Sequence, residues 1–458
     1  MERERELIVL GGGPGGMAAA RAAARAGARP LLVQLGRIDG DCTFTGCVPS
    51  KTLIETAARG GSFDEAKAAI VRAITTIAAR EDDGVFRGEG IEVLHGWARF
   101  RAPGEIDVDG TVFRSRRIVI ATGALPAVPP IDGLGDVDYL TNETVFDLDQ
   151  LPTSLAVLGG GAIGCELAQA FRRLGAEVTV IEALPRLLSR EEPETSEAIA
   201  DAIVADGIAL RAGRSVVRAE PLETKGAARL HLDDGDVITA ERVLVAVGRA
   251  GATAGLDLDA AGVVTDRGFV QVDDRLATTT SGIWAVGDVT GMLQFTHAAD
   301  EMGRVAVANA LSRTGRRRFD PSAIPWVTFT TPEVGRVGMT EAEAADHGAR
   351  VAYLPMTEVD RAIAAGETRG FIKLIAGPRR LLGNAGGGRV LGATVVAARG
   401  GELVHEAALA MRTGMFVGRL AQAVHAYPTW SMAVRQAAAQ FFMEIDGRRA
   451  RPAEPPSP

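Results

Sequence analysis

The stretch LIVLGGGPGG, residues 7–16, decides the fold of the first part of the chain. Its four apolar residues predict a buried parallel strand, and the alanine-rich residues 17–25 predict a helix directly after the glycines. Gly11, Gly13 and Gly16 form the pattern G-x-G-x-x-G in this strand–turn–helix setting. Glycines placed in this way let the backbone approach a pyrophosphate at the helix N-terminus. The stretch therefore predicts a dinucleotide-binding unit.

The same pattern returns about one domain length later in AVLGGGAIG, residues 156–164. Gly159, Gly161 and Gly164 repeat the spacing of the first three glycines, and a helix is expected from Cys165 onward. Two copies of a strand–turn–helix pattern predict two dinucleotide-binding units in a chain of the α/β class.

The residue at the end of the next strand differs between the two units. In the second unit Glu182 follows a predicted strand at residues 177–181. Its carboxylate suits a free ribose 2′-hydroxyl and repels a 2′-phosphate, which predicts NADH rather than NADPH, although the nearby Arg186 weakens this preference. In the first unit Gln34 stands there. Its amide can accept a hydroxyl hydrogen bond, but without the charge-assisted part, which is roughly 1 kcal/mol.

Three further buried strands end in small residues, at the sheet edge where open α/β sheets bind their ligands. These candidate cofactor contacts are Ala121-Thr122-Gly123, Gly248 and Gly287-Asp288. His297 begins the helical run after Asp288 and is a further candidate, with a purely structural histidine as the alternative.

The cysteine run DCTFTGCVPSK, residues 41–51, carries the most distinctive chemistry of the chain. Pro49 favours the first turn of a helix, which places Cys47 at a helix N-terminus and Cys42 in an irregular turn before it. A helix N-terminus favours negative charge and so lowers the pKa of a thiol held there. The alternative is a pair of unrelated buried thiols, the role predicted for Cys165.

Composition excludes several classes of protein. A chain of 458 residues, 47% hydrophobic and 24% charged, is typical of a globular protein with several domains. A net charge of −8 gives no reason to expect nucleic acid or an anionic membrane as partner. The N-terminal residues do not read as a signal peptide, and three cysteines do not make a disulfide framework, so a cytoplasmic location is expected.

Taken together, these motifs resemble in kind and order the pyridine nucleotide–disulfide oxidoreductases, the family of dihydrolipoamide dehydrogenase, glutathione reductase and mercuric reductase. The resemblance runs from Leu7 to about Asp446, and the C-x-x-x-x-C-x-P-S-K run is its most specific part. It implies two Rossmann-like dinucleotide-binding domains and a C-terminal α+β dimerisation domain. The implied boundaries are FAD-binding residues 1–150 and 275–324, NAD(P)-binding residues 151–274, dimerisation residues 325–446 and a disordered tail, residues 447–458.

The resemblance also implies a mechanism. Hydride passes from NAD(P)H to FAD, and the electrons then reduce a disulfide between Cys42 and Cys47. By this likeness Cys47 faces the flavin as a thiolate in charge-transfer contact, and Cys42 is the interchange thiol that meets the substrate. Lys51 and Glu166 would form an ion pair beside the flavin, and Asp288 would bind the ribityl chain.

The C-terminal region departs from the thiol reductases of the family. Those enzymes carry His-x-His-Pro-Thr, followed by a Glu, and use the second His as general acid and base. Here residues 425–432 read HAYPTWSM, with Tyr427 in place of that His and Met432 about where the Glu would be. A phenol titrates near pH ~10 and an imidazole near ~6.5, so Tyr427 is a poor base at neutral pH. Mercuric reductases are more similar here, although this tail lacks their C-terminal cysteine pair.

The resemblance implies a homodimer in which Tyr427 reaches the partner's Cys42, with a packing role at the subunit interface as the alternative. The predicted electron acceptor is a small-molecule disulfide or a thiol-bound metal ion, and no resident metal site is predicted. Two other readings stay open. One is a diaphorase-like reductase that passes electrons to quinones or oxygen, and the other is a flavin–disulfide redox sensor without steady turnover.

Overall fold

The computed structural model describes residues 3–312 and 317–455. These residues form two compact units, each assembled from separate parts of the chain. The first unit comprises Met1–Pro129, Leu140–Gln150 and Val247–Pro321, and the second comprises Pro130–Tyr139, Leu151–Ala246 and Ser322–Pro458. Helices and strands are numbered along the whole chain.

The first unit is built on a five-stranded parallel sheet. The strand order is β20-β8-β2-β3-β4, and every neighbouring pair is parallel. The strands are β2 Leu7–Leu10, β3 Pro30–Gln34, β4 Glu92–His95, β8 Ile118–Ile120 and β20 Ile283–Ala285. All four residues of β2 are buried, as expected for a central strand covered on both faces. The sheet thus brings the ends of β2, β8 and β20 to one edge.

Smaller sheets and helices surround that sheet within the first unit. A four-stranded sheet has the order β1-β7-β6-β5. Two further antiparallel sheets have two strands each, β9 with β17 and β18 with β19. The strands are β1 Arg3–Glu4, β5 Ala98–Ala102, β6 Glu105–Val108, β7 Thr111–Arg114, β9 Ala124–Pro126, β17 Arg249–Gly251, β18 Thr265–Asp266 and β19 Phe269–Val270. The helices are α1 Pro14–Arg25, α2 Gly40–Phe44, α3 Cys47–Ala58, α4 Phe63–Ala78, α5 Asp83–Gly88 and α8 Thr296–Leu311.

The second unit contains a parallel sheet of order β12-β11-β10-β16 and an antiparallel sheet of order β13-β14-β15. The strands are β10 Ser154–Leu158, β11 Glu177–Glu182, β12 Ala209–Ala212, β13 Val216–Pro221, β14 Ala228–Leu232, β15 Val237–Ala240 and β16 Arg242–Val245. The helices of this part are α6 Ala162–Leu174 and α7 Pro193–Ala205. The second glycine cluster therefore lies between β10 and α6, as the sequence predicts.

The C-terminal part of the second unit is a six-stranded antiparallel sheet of order β21-β22-β25-β24-β23-β26. The strands are β21 Pro325–Thr328, β22 Glu333–Gly338, β23 Arg350–Pro355, β24 Phe371–Gly377, β25 Arg389–Ala397 and β26 Arg451–Pro452. The helices are α9 Glu341–Ala344, α10 Asp360–Ala365, α11 Gly400–Arg412, α12 Val417–Gln422 and α13 Met432–Ala439. A continuous apolar core lies between this sheet and its helices.

This sheet also carries a buried cation. Lys373, on β24, is only 1% exposed. Its ammonium group lies 3.3 Å from Glu192, 2.7 Å from Glu194 and 2.9 Å from Glu341. Glu192 and Glu194 come from the start of α7, so one charged cluster joins the nucleotide-binding part of the unit to its C-terminal sheet.

The α/β class predicted from the sequence is confirmed, and three local expectations are corrected. Cys42 lies in the short helix α2 rather than in an irregular turn. The predicted helix at residues 431–446 ends at Ala439. The tail that was predicted to be disordered contains the short strand β26, which pairs with β23, and Arg451 forms an ion pair with the Glu341 carboxylate. Residues 456–458 of that tail lie outside the described residues.

No helix within residues 3–312 and 317–455 is both long enough and apolar enough to cross a membrane.

Candidate active site

The first glycine cluster forms a tight turn from β2 into α1. Gly11 has a φ of 103°, and a Cβ built on it would lie 2.3 Å from the Ala121 carbonyl oxygen. A Cβ on Gly16 would lie 1.8 Å from the Gly11 carbonyl oxygen, so neither position admits a side chain. Gly13 caps the N-terminus of α1, and a Cβ there would meet nothing within 4 Å. The first N–H groups of α1 therefore face space in which a pyrophosphate fits.

Gln34, at the tip of β3, is held by the backbone around it. Its carbonyl oxygen accepts a hydrogen bond from the Gly12 N–H at 2.5 Å. Its amide nitrogen donates to the carbonyls of Leu35, at 2.7 Å, and Arg37, at 2.9 Å. A glutamate in this geometry would turn a carboxylate oxygen toward two carbonyl oxygens. An amide thus satisfies this tip better than the acidic residue that the motif usually carries.

The second cluster repeats the turn around a carboxylate. A Cβ on Gly164 would lie 1.9 Å from the Gly159 carbonyl oxygen, and one on Gly161 would meet nothing within 4 Å. Glu182, at the tip of β11, accepts hydrogen bonds from the N–H groups of Gly160, at 2.6 Å, and Leu184, at 2.7 Å. Its negative charge is thereby fixed beside the start of α6.

Arg186 is occupied by its own loop. Its guanidinium donates to the carbonyls of Glu191, at 3.0 Å, and Ser189, at 2.9 Å, and to the hydroxyl of Ser196 at 3.1 Å. In the sequence Arg186 lies close to Glu182 and is a possible partner for a 2′-phosphate. In the structure these three contacts hold its guanidinium within its own loop.

The two redox cysteines meet one hydroxyl group. Cys42 lies in α2 and Cys47 is the first residue of α3, as predicted, and both are free thiols in this structure. The hydroxyl of Thr296, the first residue of α8, donates to the Cys42 sulfur at 3.2 Å and lies 3.7 Å from the Cys47 sulfur. Thr296 was not among the predicted site residues, although its place directly before His297 at a predicted helix start was a usable signal.

The pair is electrostatically asymmetric. A hydrogen bond with Cys47, then burial and the charge of Cys47, raise the pKa of the Cys42 thiol, and the Thr296 hydroxyl opposes them. Cys42 therefore retains its proton when one thiol of the pair ionises, which favours Cys47 as the thiolate. Cys47 is also the more exposed of the two, so exposure alone does not select Cys42 as the outer thiol.

The ends of β8 and β20 bring polar groups to the same sheet edge. The Thr122 hydroxyl oxygen is buried and has no hydrogen-bond partner among the described residues. Burial raises the pKa of Asp288 to about 6, with Asp41 and Cys47 adding to the effect and Arg249 opposing it. Gly123 and Gly287 both have positive φ, and the Gly248 carbonyl accepts a hydrogen bond from Ala127. An orphaned hydroxyl and a carboxyl group here suit a polar cofactor chain.

Lys51 and Glu166 lie in different units. Lys51 is part of α3, one turn after Cys47, and is half-buried. Glu166 is 4% exposed on α6 and accepts a hydrogen bond from the Phe329 N–H at 2.7 Å. Their ion pair stays a prediction. The ring of His297 stacks on Phe295 with centroids 5.7 Å apart, and its contact with the cofactor likewise stays a prediction.

Tyr427 is exposed and carries a carboxylate partner. Its hydroxyl donates to Asp360 at 2.9 Å, and this hydrogen bond raises the pKa of the phenol. His425, two residues earlier, lies with one ring nitrogen 2.9 Å from Glu406 and the other 3.0 Å from the Ala423 carbonyl. Both ring nitrogens of His425 are thus engaged, and it does not stand in for the missing histidine.

Known proteins agree with these features along the whole chain. The family described as pyridine nucleotide-disulphide oxidoreductase matches residues 5–303, and its dimerisation domain matches residues 324–438. A mercuric reductase of Streptomyces lividans is 37% identical, covering 96% of this chain and 97% of the relative. A dihydrolipoyl dehydrogenase of Thermus scotoductus is 34% identical, covering 94% and 96%. The HOCl-induced flavoprotein disulfide reductase of Escherichia coli, solved as a Cu(II) complex, has a TM-score of 0.86 at 29% identity, covering 95% and 99%.

These matches confirm the resemblance drawn from the motifs, including the C-terminal dimerisation domain. The chain belongs to the pyridine nucleotide-disulphide oxidoreductases, FAD-dependent enzymes with a nicotinamide cofactor and a redox-active disulfide.

Proposed function

We propose that the enzyme oxidises NADH through FAD, reduces a disulfide between Cys42 and Cys47, and passes the electrons on to a thiol-bound metal ion. The observation that carries this proposal is the Thr296 hydroxyl, which lies within 3.7 Å of both sulfurs. The similarity to mercuric reductases, at 37% identity for one of them, supports a metal ion as acceptor.

The residues of the first unit fit FAD. The open N-terminus of α1 at Gly13 would hold the pyrophosphate, and Thr122 and Asp288 offer polar groups for the chain that joins it to the flavin. When bound, FAD supplies the transfer of an electron pair between the nicotinamide and the disulfide.

The cysteine pair handles the electrons and one proton. On reduction the S–S bond breaks and takes up two electrons and one proton. Because burial and Cys47 raise the pKa of Cys42, the proton stays on the Cys42 sulfur and the negative charge on the Cys47 sulfur. The Thr296 hydroxyl donates a hydrogen bond into this sulfur pair. When the S–S bond forms again, the two electrons pass to the metal ion, and the Cys42 proton is taken up by the thiolate that leaves the metal or by solvent.

Tyr427 favours a metal ion over a disulfide as acceptor. A substrate disulfide leaves as two thiols and needs a proton donor and base, whereas a metal ion that takes up two electrons is not itself protonated, and its departing thiol ligand can take up the Cys42 proton. The hydrogen bond to Asp360 raises the pKa of Tyr427, which makes the phenol an even poorer base at neutral pH. The ring nitrogens of His425 are engaged by Glu406 and the Ala423 carbonyl.

An acceptor panel tests the proposal. With NADH as donor, we expect Hg(II), presented as a thiol complex, or Cu(II) supplied without thiol, of which two ions take up one electron each, to be reduced at about 1–10 s⁻¹, an ordinary enzymatic rate. Lipoamide and glutathione disulfide should turn over at least about a hundredfold more slowly, since general acid–base catalysis contributes 10²–10⁴-fold. A Tyr427→Phe variant should slow only reoxidation of the dithiol in stopped-flow measurements. Turnover of either disulfide at about 10 s⁻¹ or more would overturn the metal-ion assignment.

Thr296 gives a second test. Removing its hydroxyl in Thr296→Val should slow alkylation of the reduced enzyme by iodoacetamide at pH 7 about tenfold, because the hydroxyl, 3.7 Å from the Cys47 sulfur, could no longer stabilise the Cys47 thiolate, and a hydrogen bond to a charged group contributes about 1.5–3 kcal/mol. Thr296→Ser keeps the donor and is the matched control, expected within about twofold of the parent enzyme. Equal rates for all three proteins would mean that the hydroxyl does not stabilise a thiolate.

A further inference from the structure

Arg249 joins the helix that carries Cys42 to the strand tips of the same unit. Its guanidinium donates to the Asp41 carboxylate at 2.6 Å and also to the Ala124 carbonyl. Asp41 is the residue directly before Cys42 in α2. The Nε atom of Arg249 is buried without a hydrogen-bond partner among the described residues and lies 3.6 Å from the Asp288 carboxylate.

Three carboxyl groups share this one guanidinium. Asp41 and Asp288 are its ion-pair partners. Glu143 is the third: burial and then Asp41 raise its pKa, and Arg249 opposes them. The Arg249 side chain is only 15% exposed, so solvent screens these interactions weakly. Without Arg249, Asp41 and Asp288 would lose the cation that pairs with both of them, and the charge of Cys47 acts on Asp288.

We propose that Arg249 is a positioning residue that balances the carboxylates beside the redox cysteines and so sets the equilibrium between their disulfide and dithiol forms. The inference rests on the proposed role of Cys42 and Cys47. Reduction adds two electrons and one proton to the S–S bond, so the reduced pair is more negative by one charge. A nearby cation therefore stabilises the reduced form, and a nearby anion stabilises the disulfide.

Removing Arg249 and removing the charge of Asp41 should therefore shift the disulfide–dithiol equilibrium in opposite directions. If the ion pair only held the local structure in place, the two changes would not have opposite effects on this equilibrium. Arg249→Met should shift the equilibrium toward the disulfide about tenfold, equal to about 30 mV for this two-electron couple. Asp41→Asn leaves the cation in place and should shift it about tenfold toward the dithiol. The double variant should lie close to the parent enzyme. Arg249→Lys keeps the charge and should stay within about threefold.

The measurement equilibrates the FAD-loaded enzyme at pH 7 with mixtures of reduced and oxidised dithiothreitol. Alkylation and mass spectrometry then give the fraction of Cys42 and Cys47 in the dithiol form. Arg59→Met is the matched control, because Arg59 lies at the other end of α3 in an exposed pair with Glu55. Shifts in the same direction for Arg249→Met and Asp41→Asn, or shifts no larger than that of the control, would overturn the inference. A parent enzyme in which the two cysteines form no disulfide would instead refute the proposed function.

Discussion

Cys47→Ser is expected to reduce its metal-ion acceptor at about a thousandth of the parent rate or less, because the variant cannot form the disulfide that takes the electron pair. Cys42→Ser should lose acceptor turnover to a similar extent. The two variants should differ in colour, however. Cys42→Ser removes the sulfur with which Cys47 would form the disulfide, so the charge-transfer absorption expected of a Cys47 thiolate beside the flavin should be present in the oxidised protein, whereas Cys47→Ser should never show it.

Steady-state rates with NADH and spectra of the FAD-loaded proteins measure both effects. Cys165→Ser is the control, because Cys165 is fully buried on α6 and its thiol donates to the Gly160 carbonyl, a bond that serine can replace. Parent-like acceptor turnover in Cys42→Ser and Cys47→Ser would exclude the disulfide from the reaction. Electrons would then pass straight from the flavin, as in a diaphorase.

The second large effect concerns the nucleotide. We expect kcat/KM for NADH to exceed that for NADPH by about a hundredfold, because a 2′-phosphate would approach the fixed carboxylate of Glu182. Arg186 does not offset this repulsion, since it donates to Glu191, Ser189 and Ser196. Glu182→Gln removes the charge and should lower the ratio to about tenfold.

Specificity constants for both nucleotides decide the matter. Glu177→Gln is the matched control, since Glu177 is exposed at the opposite end of the same strand. A clear preference for NADPH in the parent enzyme, or an unchanged ratio in Glu182→Gln, would show that Glu182 does not select the nucleotide.

The sequence predicted those features that depend on local pattern. Glycine spacing, apolar strands and a proline after Cys47 are readable over about ten residues, and both glycine turns and the start of α3 lie where they were expected. A strand tip is also a local feature, which is why the places of Asp288 and Glu182 at strand ends were readable, while their contacts with a cofactor stay predictions.

Contacts between distant segments were not readable. Thr296 meets a cysteine 254 positions away, and Arg249 meets Asp41 across 208 positions. No periodicity marks such pairs, because only the folded sheet brings them together. Helix α2 was missed for a related reason: its five residues are too few for a helical pattern, and they depend on the Thr43–Asp39 hydrogen bond and on Arg249.

Gln34 shows a different limit. The motif usually has an acidic residue at this position, so the sequence predicted a weaker hydrogen bond to the ribose of the cofactor. In the folded loop two backbone carbonyl oxygens lie beside the side chain, and the amide nitrogen of Gln34 donates a hydrogen bond to each of them. A substitution that weakens a motif can thus be the better solution for the backbone around it.

Lys373 bears on how the protein can be dissected. The ammonium group of Lys373 is only 1% exposed, so removing its carboxylate partners would leave a buried charge unpaired. Breaking one side of such a buried pair costs about 3–5 kcal/mol. Glu192 and Glu194 come from the nucleotide-binding part of the second unit, and Glu341 and Lys373 from its C-terminal part. The two parts are therefore expected to melt in a single cooperative transition. A fragment that ends at residue 274 would leave the two acidic residues at the start of α7 without their cation. We therefore expect that such a fragment does not fold as a stable unit, although residue 274 is the predicted end of the NAD(P)-binding domain.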